Sequence, residues 1–111
     1  MRSSSLIVLL GAVLARTATQ ARDQQRDDAD ALDHWAKREE IHLDLSDLDC
    51  AHLETLPRAI RTRVIRAAIY AAGAPAGMVS WEHVSAVEAL ITAWSGQGAL
   101  NLPGGVKVER I

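Results

Sequence analysis

Four arginines, Arg58, Arg61, Arg63 and Arg66, fall within one short run that contains no acid. A guanidinium fork matches phosphate oxygens, and at helical spacing four of them make a stripe able to grip an RNA backbone. The plainer readings are a solvated helix face, or pairing with acids elsewhere in the chain, and the residues alone favour these. Acids are plentiful just upstream: Asp23 to Glu54 holds eleven acids and three bases, a net of −8, whereas Thr55 to Tyr70 has a net of +4. The overall charge of −2 hides this polarity. Lys107 and Arg110, near the C-terminus, would extend a basic surface; the simpler account is edge-strand charge that discourages aggregation.

Other chemistry-bearing residues lead less far. His34, His42, Cys50 and His52 lack Cys-x-x-Cys or His-x-x-x-His pairs, so no metal site is expected. Asp44, Asp47 and Asp49 lack the glycine and distal glutamate of a calcium loop, which leaves capping and solvation as their roles. Cys50, the single cysteine, forms no internal disulfide and reads as a structural thiol rather than a nucleophile. Trp35, Trp81 and Trp94 are candidates for base stacking. Trp94 falls on the core face of its helix, and Trp81 at a helix start is open between packing and an interface. Gly104-Gly105 sits in a presumed turn that precedes no helix, so no phosphate-cradling loop exists. With no complete set of catalytic groups, the chain alone is not expected to be an enzyme, and no cofactor is expected in it.

The elements that must position these residues are mainly helical. The 111 residues suffice for one domain. Phe is absent and Tyr occurs once, so the core must be built from Ala, Leu, Val and Ile and will be shallow. A long helix is predicted from Leu6 to Arg38 on the stripe Leu10, Leu14, Ala18, Ala21, Ala29, Leu32 and Ala36, weak at the solvated run Gln24–Asp28. Gly11 is a soft point costing about 1 kcal/mol against Ala. Met1 to Val13 also has a secretory look, with one positive charge, an apolar run and a small-residue cleavage site at Val13-Leu14-Ala15. That run is too short to span a bilayer. Ile41–Leu45 alternates and predicts an extended segment; Ser46 or Asp47 would cap a short helix from Cys50 to Leu53. Pro57 to Ala72 predicts a helix with Ile60, Val64, Ala68 and Ala71 on one face, Arg58, Arg63 and Arg66 opposite, and Arg61 at the flank. Gly73 and Pro75 end it. Ser80 caps a helix through Trp94 with core face Val84, Val87, Leu90, Ile91 and Trp94. Ala99–Leu102 and Val106–Ile111 read as two strands around Pro103–Gly105. A lone hairpin is marginal, so it must pack on the helices or join strands outside this chain. The expected fold is a small helical domain, a long N-terminal helix plus two shorter ones, ending in a short β-hairpin.

The run Leu43-Asp-Leu45, Leu56-Pro-Arg-Ala-Ile-Arg61-Thr-Arg-Val-Ile-Arg66, Ala71-Ala-Gly73, His83, Leu90 and Leu102-Pro-Gly-Gly105-Val-Lys-Val resembles the helical substrate-binding region of bacterial tRNA(Ile)-lysidine synthases. The order and spacing carry the resemblance, from about Leu14 to the C-terminus; residues 1–13 depart from it as an atypical N-terminal segment. That family uses ATP to attach lysine to the wobble cytidine of tRNA(Ile), on an N-terminal domain bearing a Ser-Gly-Gly-x-Asp-Ser loop. This sequence has no such loop, so no catalytic residue carries over and ATP belongs to the full-length family only. The resemblance implies a truncated, cytoplasmic, tRNA-binding portion of a ligase with no membrane association. Its partners would be tRNA(Ile) and a catalytic domain in cis or in trans. It raises Arg58, Arg61, Arg63, Arg66, Lys107 and Arg110 as RNA-binding residues. The alternative is a small helical protein-interaction module, exported if the N-terminal run is a signal.

Overall fold

The computed structural model describes residues 17–111. Four helices, α1 (Thr17–His42), α2 (Cys50–Thr55), α3 (Arg58–Ala71) and α4 (Trp81–Thr92), lead into β1 (Leu100–Leu102), a tight 3-10 turn at Pro103–Gly105, and β2 (Val106–Val108). The mainly helical fold with a terminal hairpin is the one the sequence predicts. The signal-like run, the helix start at Leu6, Gly11, Leu10 and Leu14 lie outside the described residues.

The chain divides into two units, Met1–Ala31 and Leu32–Ile111. In the first, the side chains from Ala21 to Asp28 are exposed, as the polar run requires. The second unit begins inside α1 with a half-buried Leu32 and a buried Ala36.

The segment Ile41–Leu45 is not extended: α1 runs on through His42, and Ile41 is solvent-exposed. The alternation has another cause. Beyond His42 the chain turns, with the Asp44 carboxylate accepting from the Ser46 backbone N–H at 2.9 Å and from its hydroxyl at 2.6 Å. The turn tucks Leu43, Leu45 and Leu48 against the core on one side, and a two-residue period results without a strand. The Ser46 hydrogen bonds also hold the Asp44 carboxyl below the usual carboxylate range. The cap of α2 is Asp49, not Ser46 or Asp47; its side chain accepts from the His52 N–H at 3.3 Å. Leu56, before Pro57, is extended, as pre-proline sterics demand.

On α3 the buried face is Ile60, Val64, Ile65, Ala68 and Ile69. Ala71 is exposed instead, since it lies in the last turn, where Ala72 and Gly73 (φ 114°) lead the chain away. At the start of α4, Ser80 and His83 cap reciprocally: the Ser80 hydroxyl accepts from the His83 N–H, and the Ser80 N–H donates to His83 Nδ1 at 2.9 Å. The helix stops at Thr92, short of the predicted end. Ala93 leaves helical geometry (φ −135°, ψ 45°), so Trp94 is not on the core face but 40% exposed.

The hairpin pairs Leu100 with Val108 and Leu102 with Val106. Leu102 and Val106 are buried in the core cluster, which is how two short strands persist. β2 ends at Val108 rather than at Ile111, because Arg110 turns in to donate to the carbonyls of Leu90 and Ile91. In the turn, Gly104 has φ 77°, and a Cβ there would lie 2.8 Å from both Gly73 O and Pro75 Cδ. Only glycine fits so close to the 73–75 loop. The centre of the core is Leu53, Ile60, Val64, Ile65 and Val84, all with essentially no exposure. Each such side chain contributes about 1.5–3 kcal/mol on burial.

Candidate nucleic-acid interface

The six basic residues singled out in the sequence meet different fates. Arg61 is the most enclosed, its side chain 12% exposed. Its Nε donates to Glu88 Oε2 at 3.0 Å, and Nη1 donates to the Leu56 carbonyl at 3.0 Å. Its cation therefore closes the C-terminal end of α2, where free carbonyls and the helix dipole favour positive charge. Arg58 donates from Nε to Glu88 Oε1 at 3.1 Å, but its side chain is 61% exposed. The Arg58 guanidinium also lies over the Trp81 ring, 5.1 Å from the centroid.

Arg63 donates to Asp33 Oδ1 at 2.9 Å and to the Ala59 carbonyl at 2.9 Å. Asp33 belongs to the acidic stretch, so pairing with upstream acids does occur at this arginine. Arg66 donates to the Val79 carbonyl at 2.6 Å and ties the 73–80 connection back to α3. Arg110 serves the C-terminal carbonyls of α4, and its guanidinium lies 5.3 Å from the Trp94 ring centroid. Lys107 is exposed on β2.

Glu88 is the residue that the sequence reading missed. It is the buried charged side chain among the described residues, 7% exposed, and it holds two arginines at once. A signal was present. Glu88 stands four residues after Val84 and three before Ile91, on the apolar face of α4, where an acid needs cationic partners. Two guanidinium groups on one carboxylate leave one positive charge in excess. Arg61 is enclosed, so the excess is expressed at Arg58.

The histidines and Cys50 do not assemble: among the described residues no three His, Cys, Asp or Glu side chains are placed to hold a metal ion. Instead His52 Nε2 lies 2.9 Å from Glu39 Oε2, fastening the end of α1 to α2. That hydrogen bond holds the Glu39 carboxyl below its ordinary range. Cys50 is half-buried beside the core. A cleft of about 430 Å³ is lined by Leu48, Ile65, Ile69, Leu90 and Ile91, with Asp47, Lys107, Glu109 and Arg110 also on its wall. Among the described residues, no helix is long and apolar enough to cross a membrane.

A family model for the TilS substrate binding domain matches residues 48–110. The tRNA(Ile)-lysidine synthase of Streptomyces coelicolor is 48% identical over 99 residues, covering 87% of this chain and 27% of the relative. That of Thermobifida fusca is 48% identical over 99 residues, covering 87% and 29%. That of Leifsonia xyli is 37% identical over 119 residues, covering 99% and 35%. The chain thus spans about a third or less of the length of these curated relatives. No solved structure matches it. The matched segment takes in α2, α3, α4 and the hairpin, and the chain belongs to the TilS substrate binding domain family.

Proposed function

We propose that this chain is the tRNA-holding portion of a tRNA(Ile)-lysidine synthase, and that it positions tRNA(Ile) in the cytoplasm for ATP-dependent chemistry on a separate catalytic domain, in cis or in trans. The observation that carries this reading is the family match over residues 48–110, which coincides with the helices and hairpin described above. The absence of a phosphate-cradling glycine loop from the sequence supports assigning the nucleotide chemistry elsewhere. Of the six basic residues, we assign Arg58, Lys107 and, by exchange of its exposed Asp33 partner, Arg63 to phosphate contact. Arg61, Arg66 and Arg110 hold backbone carbonyls and keep the scaffold in shape.

The test is titration of fluorescently labelled tRNA(Ile) with the purified chain at several salt concentrations. Three phosphate contacts give a log–log salt slope of about −2.1 to −2.7, which weakens binding about 20- to 40-fold for a four-fold rise in salt. Absence of binding at low salt refutes the reading. A slope near zero refutes the phosphate assignment.

A further inference from the structure

We propose that Trp81, braced by Arg58, is a stacking platform for one unpaired nucleotide of the bound RNA. This rests on the tRNA-holding reading and adds to it a contact made to a base rather than to phosphate.

Trp81 is the first residue of α4 and is 50% exposed, an unusual position for the largest apolar side chain. It is nonetheless braced on one side. The Arg58 guanidinium lies 5.1 Å from the ring centroid, and Nε of the same group is held at 3.1 Å by the buried Glu88 carboxylate. Glu88 is held in turn by the enclosed Arg61. A chain of four side chains thus runs from the interior to an exposed indole and holds it ready before any ligand arrives. Bases stack on aromatic rings and on arginine planes whatever their sequence. The surplus positive charge of the Arg58–Glu88–Arg61 cluster emerges beside the ring, where a nucleotide's phosphate would lie. Glu82, exposed next to Trp81, is the one acid adjacent in sequence, and it sets the limit on that attraction. The pair of charge excess and ring at one place favours a nucleotide over an apolar protein segment, which would leave the surplus charge of the cluster unmatched.

The experiment uses the full chain with Trp35→Phe and Trp94→Phe, so that Trp81 alone reports fluorescence. It is titrated with a single-stranded oligoadenylate and with tRNA(Ile). Expected is quenching of Trp81 by both. Trp81→Ala in the parent chain weakens tRNA binding about 5- to 150-fold, the range of base–aromatic stacking. Trp81→Phe retains most of the affinity, and Arg58→Lys, which keeps the charge but loses the plane, loses part of it. Thermal melts matching the parent separate these effects from unfolding, and quenching of Trp81 keeps the test decisive if the alanine variant does not fold. If tRNA binds Trp81→Ala as it binds the parent, or if tRNA binds and Trp81 is not quenched, the inference is overturned while the tRNA reading stands. Quenching by oligoadenylate without tRNA binding supports the platform and overturns the reading. Binding of neither overturns both. If Trp81→Ala alters only association with a lysidine synthase catalytic domain, the surface belongs to a protein partner and the inference is overturned.

Discussion

Glu88→Ala should be the most damaging single change in the arginine cluster. The carboxylate is 9% exposed and receives Arg61 at 3.0 Å and Arg58 at 3.1 Å. Removing one partner of a buried ion pair costs about 3–5 kcal/mol, because the other charge remains without compensation. Two features reduce that figure. Arg61 keeps its bond to the Leu56 carbonyl, and Arg58, 61% exposed, is re-solvated by water, so its share is about 1 kcal/mol or less. About 2–3 kcal/mol remains, against a total stability of about 5–15 kcal/mol for an ordinary domain. At about 4–8 °C per kcal/mol for a unit of this size, the melting midpoint should fall by about 10–20 °C. Glu88→Gln, which retains one carbonyl acceptor, should cost about half as much. Urea and thermal unfolding followed by circular dichroism measure both. A double-mutant cycle with Arg61→Met isolates the pair, and Glu88→Leu with Arg61→Met should recover only part of the loss, since the Leu56 carbonyl then has no donor. If Glu88→Ala lies within about 0.5 kcal/mol of the parent, the carboxylate does not organise the cluster and the reasoning fails.

Gly104→Ala should destabilise by about 2–3 kcal/mol, combining a left-handed backbone with 2.8 Å approaches to Gly73 O and Pro75 Cδ, whereas Gly105→Ala, with φ 73° but open space around a Cβ, should cost about 1 kcal/mol; urea midpoints rank the two. His52→Ala should flatten the acid flank of the stability profile. The folded-state pKa of Glu39 is depressed by His52, so the unfolded chain takes up protons first as pH falls, and the stability contributed above the ordinary value of 4.5 is lost through the folded pKa; unfolding midpoints between about pH 6 and pH 3 measure the slope. Arg110→Ala should loosen the tail beyond β2 and shift the fluorescence of Trp94, with little change at Trp81, because its bonds go to Leu90 and Ile91.

The fold was legible where local chemistry and burial agree. Leu56-Pro57, the Ser80 cap, Gly73 and the Pro-Gly-Gly turn mark boundaries through backbone geometry that few other residues permit. The failures share one cause, which is that a short pattern has more than one solution in three dimensions. Leu43 and Leu45 face one core whether the chain is a strand or an Asx turn. Trp94 sits at a core position only if the helix lasts two residues longer than it does. Ala71 is small enough to occupy either side of a helix end without penalty, so its place in a periodic stripe carried no information.

The arginines expose a deeper limit. A guanidinium that closes a helix end and one that awaits a phosphate have the same spacing on α3, because both must project from a single helix. What separates them lies outside that helix: Leu56 O at the end of α2 and Val79 O in the connection before α4. Replacing Arg58, Arg61, Arg63 and Arg66 together would therefore report on folding and RNA contact at once and distinguish neither. The informative comparison is between pairs. Arg58→Gln with Lys107→Gln removes exposed charge and should weaken tRNA while leaving the melt nearly unchanged. Arg61→Gln with Arg66→Gln should lower the melt first, and any loss of tRNA binding should follow from it. If the second pair weakens RNA binding with an unaltered melt, the division drawn between scaffold and contact arginines is wrong.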